Sequence, residues 1–272
     1  LMGRAAPAGR APRRRRFGQH FLHDPAVIRR IARAVGAHPG DHLVEIGPGR
    51  GALTRELLSL PDCTLDAIEI DRDLVRELGT AFGDPPRHVL HSADALEFDF
   101  AQLARARGGR LRIVGNLPYN ISTPLLFHLL EAAGGIADMH VMLQREVAAR
   151  LAAQPGEPDY GRLAVMLAPH VAVERLFDLG PGAFQPPPQV WSAVVRLVVR
   201  PAPLFCVSAH YAQVVAAAFG QRRKTLRNAL GGLLTREQIS ACGQDPGARP
   251  QTVTPQGFNA LAQTLDRARP ES

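Results

Sequence analysis

The stretch HLVEIGPGRGALT, residues His42–Thr54, joins a short apolar strand pattern to a helix pattern through three glycines. Glycine at positions Gly47, Gly49 and Gly51 permits a tight turn and a close approach of the backbone to a ligand. The spacing also satisfies the dinucleotide fingerprint GxGxx(G/A), with Ala52 in the last place. The stretch therefore predicts an α/β nucleotide-binding fold, but it does not identify the nucleotide.

Strand and helix patterns alternate around that loop. Near-continuous apolar runs predict strands, and amphipathic runs predict the helices between them. This alternation indicates a parallel sheet that is covered on both faces. The predicted strands are His42–Ile46, Thr64–Ile70, Val89–Ser92, Leu111–Val114 and Asp138–Leu143, and the predicted helices are Ala52–Leu60, Arg72–Phe82, Thr123–Ala133 and Arg145–Ala152. A helix capped by Asp24 precedes the sheet, and the later strand Trp191–Val199 completes it.

Composition divides the chain into three parts. Residues 1–16 hold six arginines and no acidic residue, which predicts a disordered basic arm; a solvated tail or an organelle transit peptide is the alternative. Residues 17–202 carry the alternating pattern, and the proline-containing stretch Pro201–Phe205 marks its end. Short helix patterns then predict a small helical domain over residues 203–272. They cover Ala209–Gly220, Arg222–Leu233, Arg236–Cys242 and Pro255–Leu265.

Charge and composition restrict the possible functions. Leu179–Arg236 holds seven basic residues and no carboxylate, which suits a polyanionic partner. No run of 18 apolar residues is present, so no membrane contact is expected. Three isolated cysteines indicate a reducing compartment, and we expect a cytoplasmic protein. Only His88 and His91 approach metal-ligand spacing and no acid cluster joins them, so no metal is expected.

Polar side chains follow two neighbouring predicted strands at the point where each ends. Glu69 ends the second strand and Asp94 follows the third, with Ile70 and Ala95 as their neighbours. The carboxyl ends of parallel strands meet at one edge of a sheet, where Glu69 can accept from two ribose hydroxyls and Asp94 from an adenine amine. Glu45 is expected to hold the backbone amides of the glycine loop. A nucleoside site follows, with nicotinamide and S-adenosylmethionine cofactors both open and a plain surface acid as the alternative for Glu69.

The fourth predicted strand ends beside that site in the residues Asn116, Leu117, Pro118 and Tyr119. An adenine N6 amine is a poor nucleophile because its lone pair is conjugated with the ring. The Asn116 side-chain oxygen and the Leu117 carbonyl can accept its two hydrogens, and Pro118 restricts the carbonyl that precedes it. Tyr119 offers a face on which a base can stack. The set favours methyl transfer to adenine N6 over hydride transfer; the alternative is a strand-ending turn in which Tyr119 only packs.

From about Arg16 to its C-terminus the chain resembles the small-subunit ribosomal RNA adenine dimethyltransferase family (KsgA/RsmA). The resemblance implies a Rossmann-like class I methyltransferase domain with a small all-helical C-terminal domain, and S-adenosylmethionine as methyl donor. It also implies, as substrate, two adjacent adenosines in the 3′-terminal hairpin loop of small-subunit (16S) rRNA. The blocks that carry it are FGQHFL, VEIGPGRGALT, IEID, NLPYNIST, LQREVAARL, YGRLAVM, FQPPPQVWSAVVRL and FGQRRKTLRNAL.

The resemblance also assigns residues. Phe184 is similar to a second aromatic wall opposite Tyr119, with a hydrophobic anchor as the alternative. Two positions depart from the family: His20 stands where Asn is common, so altered pH sensitivity is expected, and Trp191 stands where an acid is usual, which puts local RNA contacts in doubt. The expected cofactor-binding set is His20, Leu22, Gly47, Gly49, Gly51, Glu69, Ile70, Asp94, Ala95 and Asn116.

A basic cluster in the predicted helical domain is expected to contact phosphates of the small-subunit rRNA. The protein is expected to act on this RNA as a monomer. Arg145 and Arg150 are weaker candidates, and a solvated helix face is the alternative for the cluster. The competing functions are an adenine methyltransferase acting on large-subunit rRNA or DNA, a non-catalytic nucleic-acid binder and a nicotinamide-dependent oxidoreductase. The expected RNA-binding set is Arg222, Arg223, Lys224 and Arg227.

Overall fold

The computed structural model describes residues 20–60, 62–82 and 87–268, so the basic arm predicted over residues 1–16 lies outside the described residues. The strands are β1 (Phe21–Leu22), β2 (His42–Ile46), β3 (Thr64–Glu69), β4 (His88–Ser92), β5 (Leu111–Asn116), β6 (Ile136–Gln144), β7 (Val171–Leu179), β8 (Phe184–Gln185) and β9 (Ser192–Val199). The helices are α1 (Pro25–Val35), α2 (Ala52–Leu58), α3 (Arg72–Phe82), α4 (Phe100–Arg107), α5 (Ser122–Glu131), α6 (Arg145–Ala152), α7 (Arg162–Leu167), α8 (Tyr211–Gly220), α9 (Leu226–Ala229), α10 (Arg236–Ala241) and α11 (Pro255–Ala268).

Seven strands form one sheet in the order β4-β3-β2-β5-β6-β9-β7. The first five are mutually parallel, and β9 runs antiparallel between β6 and β7. The strand order reverses between β2 and β5, and ligands of open α/β sheets bind outside the carboxyl ends of the strands at such a point. Ile46 at the end of β2 pairs with Ile68 of β3 and with Gly115 of β5, so these strand ends are level.

Both faces of the sheet are buried, which explains the continuous apolar character of its strands. Successive residues of β2 enter different clusters: Leu43 packs with α1 and α2 on one face, and Val44 packs with α4 and α5 on the other. The helix α1 begins as predicted, because the Asp24 carboxylate accepts hydrogen bonds from the backbone N–H groups of Ala26 and Val27 at 2.8 and 3.2 Å. The predicted α/β architecture is confirmed.

The C-terminal helices form a separate apolar cluster around Phe258 of α11. Two buried tyrosines join this cluster to the segment before β7. The Tyr160 hydroxyl donates to the Val253 carbonyl at 2.8 Å, and the Tyr211 hydroxyl donates to the Val165 carbonyl at 2.9 Å. The helical core therefore includes residues from both sides of the expected boundary at residues 202 and 203, and that boundary stays a prediction.

The predicted helix Arg222–Leu233 is wrong. Gln221–Lys224 forms a turn, and only α9 is helical within that stretch. The backbone N–H of Leu226 donates to Ala248 and that of Arg227 to Pro246, so these donors bind a neighbouring loop instead of a preceding helical turn. None of the helices in the described ranges is long and apolar enough to cross a bilayer.

The β6 residue His140 is 1% exposed, and its ring lies near the backbone of Ala34, which opposes the lowering of its pKa. Its Nδ1 lies 3.9 Å from the Asp138 carboxylate, which also pairs with Arg112 and Arg196. Burial lowers the pKa of His140 to about 4; the Asp138 charge opposes this shift, and the two arginines reinforce it. The neutral ring is therefore favoured in the folded state.

We expect acid to destabilise the protein partly through His140. Its pKa is lowered in the fold, so its contribution is present above about pH 6.5, the value for an unfolded chain, and is lost as the pH falls toward 4. Between pH 7 and pH 5 the loss is about 2 kcal/mol. Urea denaturation at both pH values should therefore show a smaller acid penalty for His140→Leu. The exposed His23→Gln is the control; an equal acid penalty in His140→Leu and wild type would contradict the assignment.

Candidate active site

A cavity lies at the carboxyl ends of β2, β3, β4 and β5, and the segment around β1 closes one side of it. The expected cofactor-binding residues line this cavity, except Gly51. The expected catalytic residues also line it, except Phe184. The lining residues from the two sets are His20, Leu22, Gly47, Gly49, Glu69, Ile70, Asp94, Ala95, Asn116, Leu117, Pro118 and Tyr119.

Gly51 does not line the cavity; its lack of a side chain allows α3 to pack against the glycine loop. It takes φ 74° at the start of α2, and a Cβ on it would lie 2.3 Å from the Phe82 ring and 2.9 Å from Leu78. Glycine is thus required because α3 packs directly against the loop. The expected ligand contact at this position stays a prediction.

Glu69 is the carboxylate that holds the glycine loop. Its Oε2 accepts from the Gly49 N–H at 3.1 Å, and its Oε1 accepts from the Asp71 N–H at 3.0 Å. Burial raises the pKa of Glu69, and these backbone hydrogen bonds oppose the shift. Each carboxylate oxygen has a second lone pair, so Glu69 can hold the loop and still accept from two hydroxyl groups of a ligand.

Glu45 was expected to hold the loop amides, and this is wrong because Glu69 does so. Glu45 is buried in β2 and lines the cavity, and its Oε2 has no hydrogen-bond partner among the described residues. Burial raises the pKa of Glu45 to about 7; the Thr54 hydroxyl opposes the shift, and the nearby Glu69 charge adds to it. An unpaired buried oxygen beside a cavity is satisfied when a ligand donates to it.

The Asn116 side chain has a fixed orientation. Its Nδ2 donates to the His20 carbonyl at 2.9 Å, and the His20 Nδ1–H in turn donates to the Pro186 carbonyl at 2.8 Å. Only the NH₂ side of the amide can donate to a carbonyl, so the Oδ1 atom is the one left for a ligand.

Leu117 supplies a second acceptor beside Asn116. Its N–H donates to the Met142 carbonyl at 3.2 Å, which fixes the peptide against β6. Within the described part of the chain no group donates to the Leu117 carbonyl or to Asn116 Oδ1. Two neighbouring unpaired acceptors at one strand end match an amine that carries two hydrogens.

Tyr119 is anchored at its hydroxyl. The oxygen lies 2.8 Å from Oγ of the buried Ser192, and burial raises the pKa of Tyr119, with the Ser192 bond opposing the shift. The ring stacks on the His20 ring, with 5.8 Å between centroids and 30° between planes. Thus His20, not Phe184, is the ring beside Tyr119.

The expected role of Phe184, as a wall opposite Tyr119, stays a prediction. The ring is 1% exposed and packs in the same apolar cluster as Leu22 and Leu179. The cause is the pairing of β8 with β1, in which Phe184 lies opposite Leu22. Its position agrees with the alternative role of a hydrophobic anchor.

Gly115 is a site residue that sequence reasoning missed. It precedes Asn116 in β5, and a Cβ on it would lie 2.6 Å from the Ile46 carbonyl oxygen. The absence of a side chain lets β2 and β5 approach closely where the glycine loop and Asn116 meet. A glycine inside an otherwise apolar strand pattern was the available signal.

The basic cluster lies at the start of the helical region, with Arg223, Lys224 and Arg227 exposed. Arg222 is different, because its guanidinium donates to the backbone carbonyls of Pro158 and Tyr160. All four expected RNA-binding residues are thus exposed, and Arg222 also braces the loop before α7. Of the weaker candidates, Arg145 lies 3.5 Å from Asp178, and Arg150 pairs with Glu146.

The site chemistry fits a cofactor that carries a nucleoside. Glu69 can accept from a ribose diol, Asp94 lines the same cavity, and Ile70 presents an apolar side chain that is 45% exposed at the cavity. The unpaired Glu45 oxygen suits a positively charged donor group. Among the described residues no cluster of three or more side chains could hold a metal ion. Fold and site together define a class I S-adenosylmethionine-dependent methyltransferase.

Comparison with known proteins identifies the family. A model described as ribosomal RNA adenine dimethylase matches residues 11–265, and the chain belongs to that family. A Pseudomonas aeruginosa protein named ribosomal RNA small subunit methyltransferase A is 54% identical over 259 residues, covering 93% of this chain and 94% of that protein. The protein of the same name from Methylococcus capsulatus is 53% identical over 254 residues, covering 93% and 98%.

Two solved structures share the overall fold. The 23S rRNA methyltransferase ErmE has a TM-score of 0.71 at 28% identity, covering 90% of this chain and 99% of its own. A dimethyladenosine transferase from Plasmodium falciparum has a TM-score of 0.75 at 22% identity, covering 91% and 98%. The likeness therefore extends beyond the sheet into the C-terminal helices.

We expect Gly115→Ala to damage the site through the fold. The new methyl group would collide with the Ile46 carbonyl, so β2 and β5 must separate at the point where Asn116 begins. Thermal denaturation should show a loss of about 1–3 kcal/mol, and calorimetry a weaker affinity for S-adenosylmethionine. The control is Gly79→Ala on α3, where a Cβ meets nothing within 4 Å. Wild-type affinity in Gly115→Ala would show that the close approach is dispensable.

Proposed function

We propose that this protein transfers methyl groups from S-adenosylmethionine to N6 of two adjacent adenosines in the 3′-terminal hairpin loop of small-subunit rRNA, giving N6,N6-dimethyladenosines during ribosome assembly. The observation that carries the proposal is the pair of unpaired acceptors, Asn116 Oδ1 and the Leu117 carbonyl, beside a nucleoside cavity. Membership of the ribosomal RNA adenine dimethylase family supports the substrate, and the relatives above 50% identity carry the small-subunit name.

The cavity residues would hold the cofactor as follows. Glu69 would accept from the ribose hydroxyls, and Asp94 from the adenine amine, with Ile70 against the adenine ring. Glu45 would accept from the ammonium group of the methionine part, beside His20 and Leu22. When bound, S-adenosylmethionine supplies an electrophilic methyl group.

The residues of β5 and the turn after it would position and polarise the adenine. Asn116 Oδ1 would accept one N6 hydrogen and the Leu117 carbonyl the other, which favours a pyramidal nitrogen with an available lone pair. Pro118 fixes its own φ and restricts Leu117, so this acceptor is oriented before the substrate binds. Tyr119, fixed by Ser192, would stack on the base, a contact worth about 1–3 kcal/mol.

Removal of the N6 proton does not require a strong base in this site. N6 becomes acidic once it carries the new carbon, so it can release its proton to water or to the Asn116 oxygen without a strong general base. Most of the acceleration then comes from positioning, which contributes up to about 7–11 kcal/mol in well-oriented systems. The second transfer starts from a nitrogen with one hydrogen, and neutral Asn116 tolerates the loss of one hydrogen bond at lower cost than a carboxylate would.

The substrate must present the adenine outside its stack, because the acceptors lie at the edge of a cavity. Sequence-specific RNA recognition uses splayed loop bases in this way. Arg223, Lys224 and Arg227 would contact phosphates of the same RNA from the helical region. We place the reaction in the cytoplasm on immature small subunits, with the protein acting as a monomer and without a metal.

Incubation of undermethylated small ribosomal subunits with labelled S-adenosylmethionine should place label on two adjacent adenosines of the 3′-terminal hairpin loop. Asn116→Ala removes one of the two acceptors, so we expect it to bind the cofactor but to lose about 100-fold or more in methyl transfer. Mapping of modified bases by primer extension and cofactor binding by calorimetry check both results.

Asn120→Ala is the matched control, because Asn120 is an exposed asparagine lining the same cavity. We expect it to keep most activity. Label elsewhere in the rRNA would contradict the proposed substrate, and near wild-type turnover in Asn116→Ala would contradict the assigned acceptor role.

Neutralising Arg223, Lys224 and Arg227 together, each to Gln, should weaken RNA binding and reduce the dependence of log Kd on log salt by about 2–3, since each phosphate contact contributes about 0.7–0.9. Affinity for S-adenosylmethionine should not change. Filter binding across a salt series measures the slope.

Arg222 is left in place because it braces the loop before α7. The control is the same charge change at the exposed Arg72, Arg76 and Arg105 on α3 and α4. If both triple variants have the wild-type slope, the basic cluster is a solvated surface.

A further inference from the structure

Trp191 is the only tryptophan of the chain, and it is 51% exposed. Its neighbour Val190 is 43% exposed, so two large apolar side chains face solvent together. Neither residue lines the cavity. A tryptophan side chain can bury about 150–250 Å² of surface. Because half of this indole faces water, a large part of that area is available to a partner.

The indole is connected to the site through one peptide. Ser192, which follows it directly, binds the Tyr119 hydroxyl, and consecutive Cα atoms lie about 3.8 Å apart. The Trp191 carbonyl accepts from the Arg145 N–H at 2.9 Å, which fixes the backbone. The six-membered ring packs on Gly180, where a Cβ would lie 3.8 Å from Cη2 and 4.0 Å from Cζ3. The ring is thus supported by protein on one side and open on the other.

Two arginines lie on segments that neighbour Trp191, since the Arg145 N–H binds the Trp191 carbonyl and Arg175 shares Asp178 with Arg145. The Arg145 side chain is 58% exposed and lies 3.5 Å from the Asp178 carboxylate. Asp178 also pairs with Arg175 at 2.5 Å. Two arginines share one carboxylate, so these three side chains leave one positive charge in excess, on segments whose backbones adjoin Trp191 and Ser192.

We propose that Trp191 stacks on a base of the RNA that neighbours the target adenine, with Arg145 beside the connecting phosphate. The inference rests on the proposed function, because it needs an RNA at the Tyr119 site. A supported, half-exposed aromatic ring next to a cation is the arrangement on which nucleotides stack. A protein partner fits less well, since an indole and one valine are far below the about 800 Å² per partner of a stable interface.

The single tryptophan makes stacking directly observable. The probe is a synthetic RNA hairpin that carries two adjacent adenosines in its loop. Its binding should quench the intrinsic tryptophan fluorescence, because a base in face-to-face contact with indole quenches its emission. The matched RNA is abasic at the loop positions that flank the adenosine pair; it keeps every phosphate and should bind with little quenching.

Variants separate stacking from a structural role. Trp191→Ala should raise the Kd of the hairpin, and the KM for undermethylated small subunits, by about 5- to 30-fold with kcat within about twofold, from the lower part of the range for base stacking. Trp191→Phe should recover part of the loss. Val190→Ala, which removes an equally exposed side chain without a ring, should match wild type in both quantities.

Several results would overturn the inference. Equal quenching by the intact and the abasic hairpins would do so, and so would no quenching by the intact hairpin. A fall in kcat at unchanged KM for Trp191→Ala would also do so, because it would mean that the residue acts through Ser192 on Tyr119. A KM effect on whole subunits without any effect on the hairpin would instead indicate contact with a ribosomal protein. If the hairpin quenches the fluorescence but wild type methylates no adenosine of undermethylated small subunits, the proposed function fails while the stacking surface remains.

Discussion

The hydrogen bond from the Asn116 amide to the His20 carbonyl is the interaction on which the proposed chemistry depends. An amide side chain has one donating and one accepting end, and this bond commits the donating end to the protein. The accepting end then remains for substrate without any rearrangement. Donors and acceptors that are fixed before the reaction lower its barrier more than groups that must be reoriented. His20 is itself held by Pro186, so the segment before α1 and the loop before β9 both contribute to this orientation.

Two buried carboxyl groups in the same region are unfavourable for the ligand-free protein. Glu45 and Glu69 are both buried, burial raises the pKa of each, and the Glu69 charge raises the pKa of Glu45 further. Glu69 is compensated by two backbone N–H groups, whereas one Glu45 oxygen has no partner among the described residues. Such a group costs stability in the ligand-free protein and favours a ligand that donates to it. A positively charged cofactor would relieve both effects, so we expect the protein to gain stability when it binds.

The sequence predicted the parts of the fold that depend on local patterns. The parallel strands, the Asp24 cap and the polar residues that line a cavity at the strand ends all follow from apolar periodicity and from the position of polar residues. It missed β7, an edge strand whose exposed Glu174 and Arg175 interrupt the apolar pattern. Long-range pairing decided other features that local patterns do not predict. Phe184 is buried because β8 meets β1, a contact between segments more than 160 residues apart that no local pattern contains. Gly51 and Arg222 likewise have partners distant in sequence, Phe82 and Pro158.

The proposed methyl transfer requires hydrogen bonds from adenine N6 to Asn116 Oδ1 and to the Leu117 carbonyl. The most direct measurement is a crystal structure of the protein with S-adenosylhomocysteine and an RNA hairpin bound. We expect N6 of one adenine within hydrogen-bond distance of Asn116 Oδ1 and of the Leu117 carbonyl oxygen, with the base on Tyr119 and the Asn116 amide still bound to His20. An adenine placed elsewhere, or an Asn116 side chain turned away from the cofactor with no room there for a purine, would contradict the acceptor role of Asn116 and Leu117.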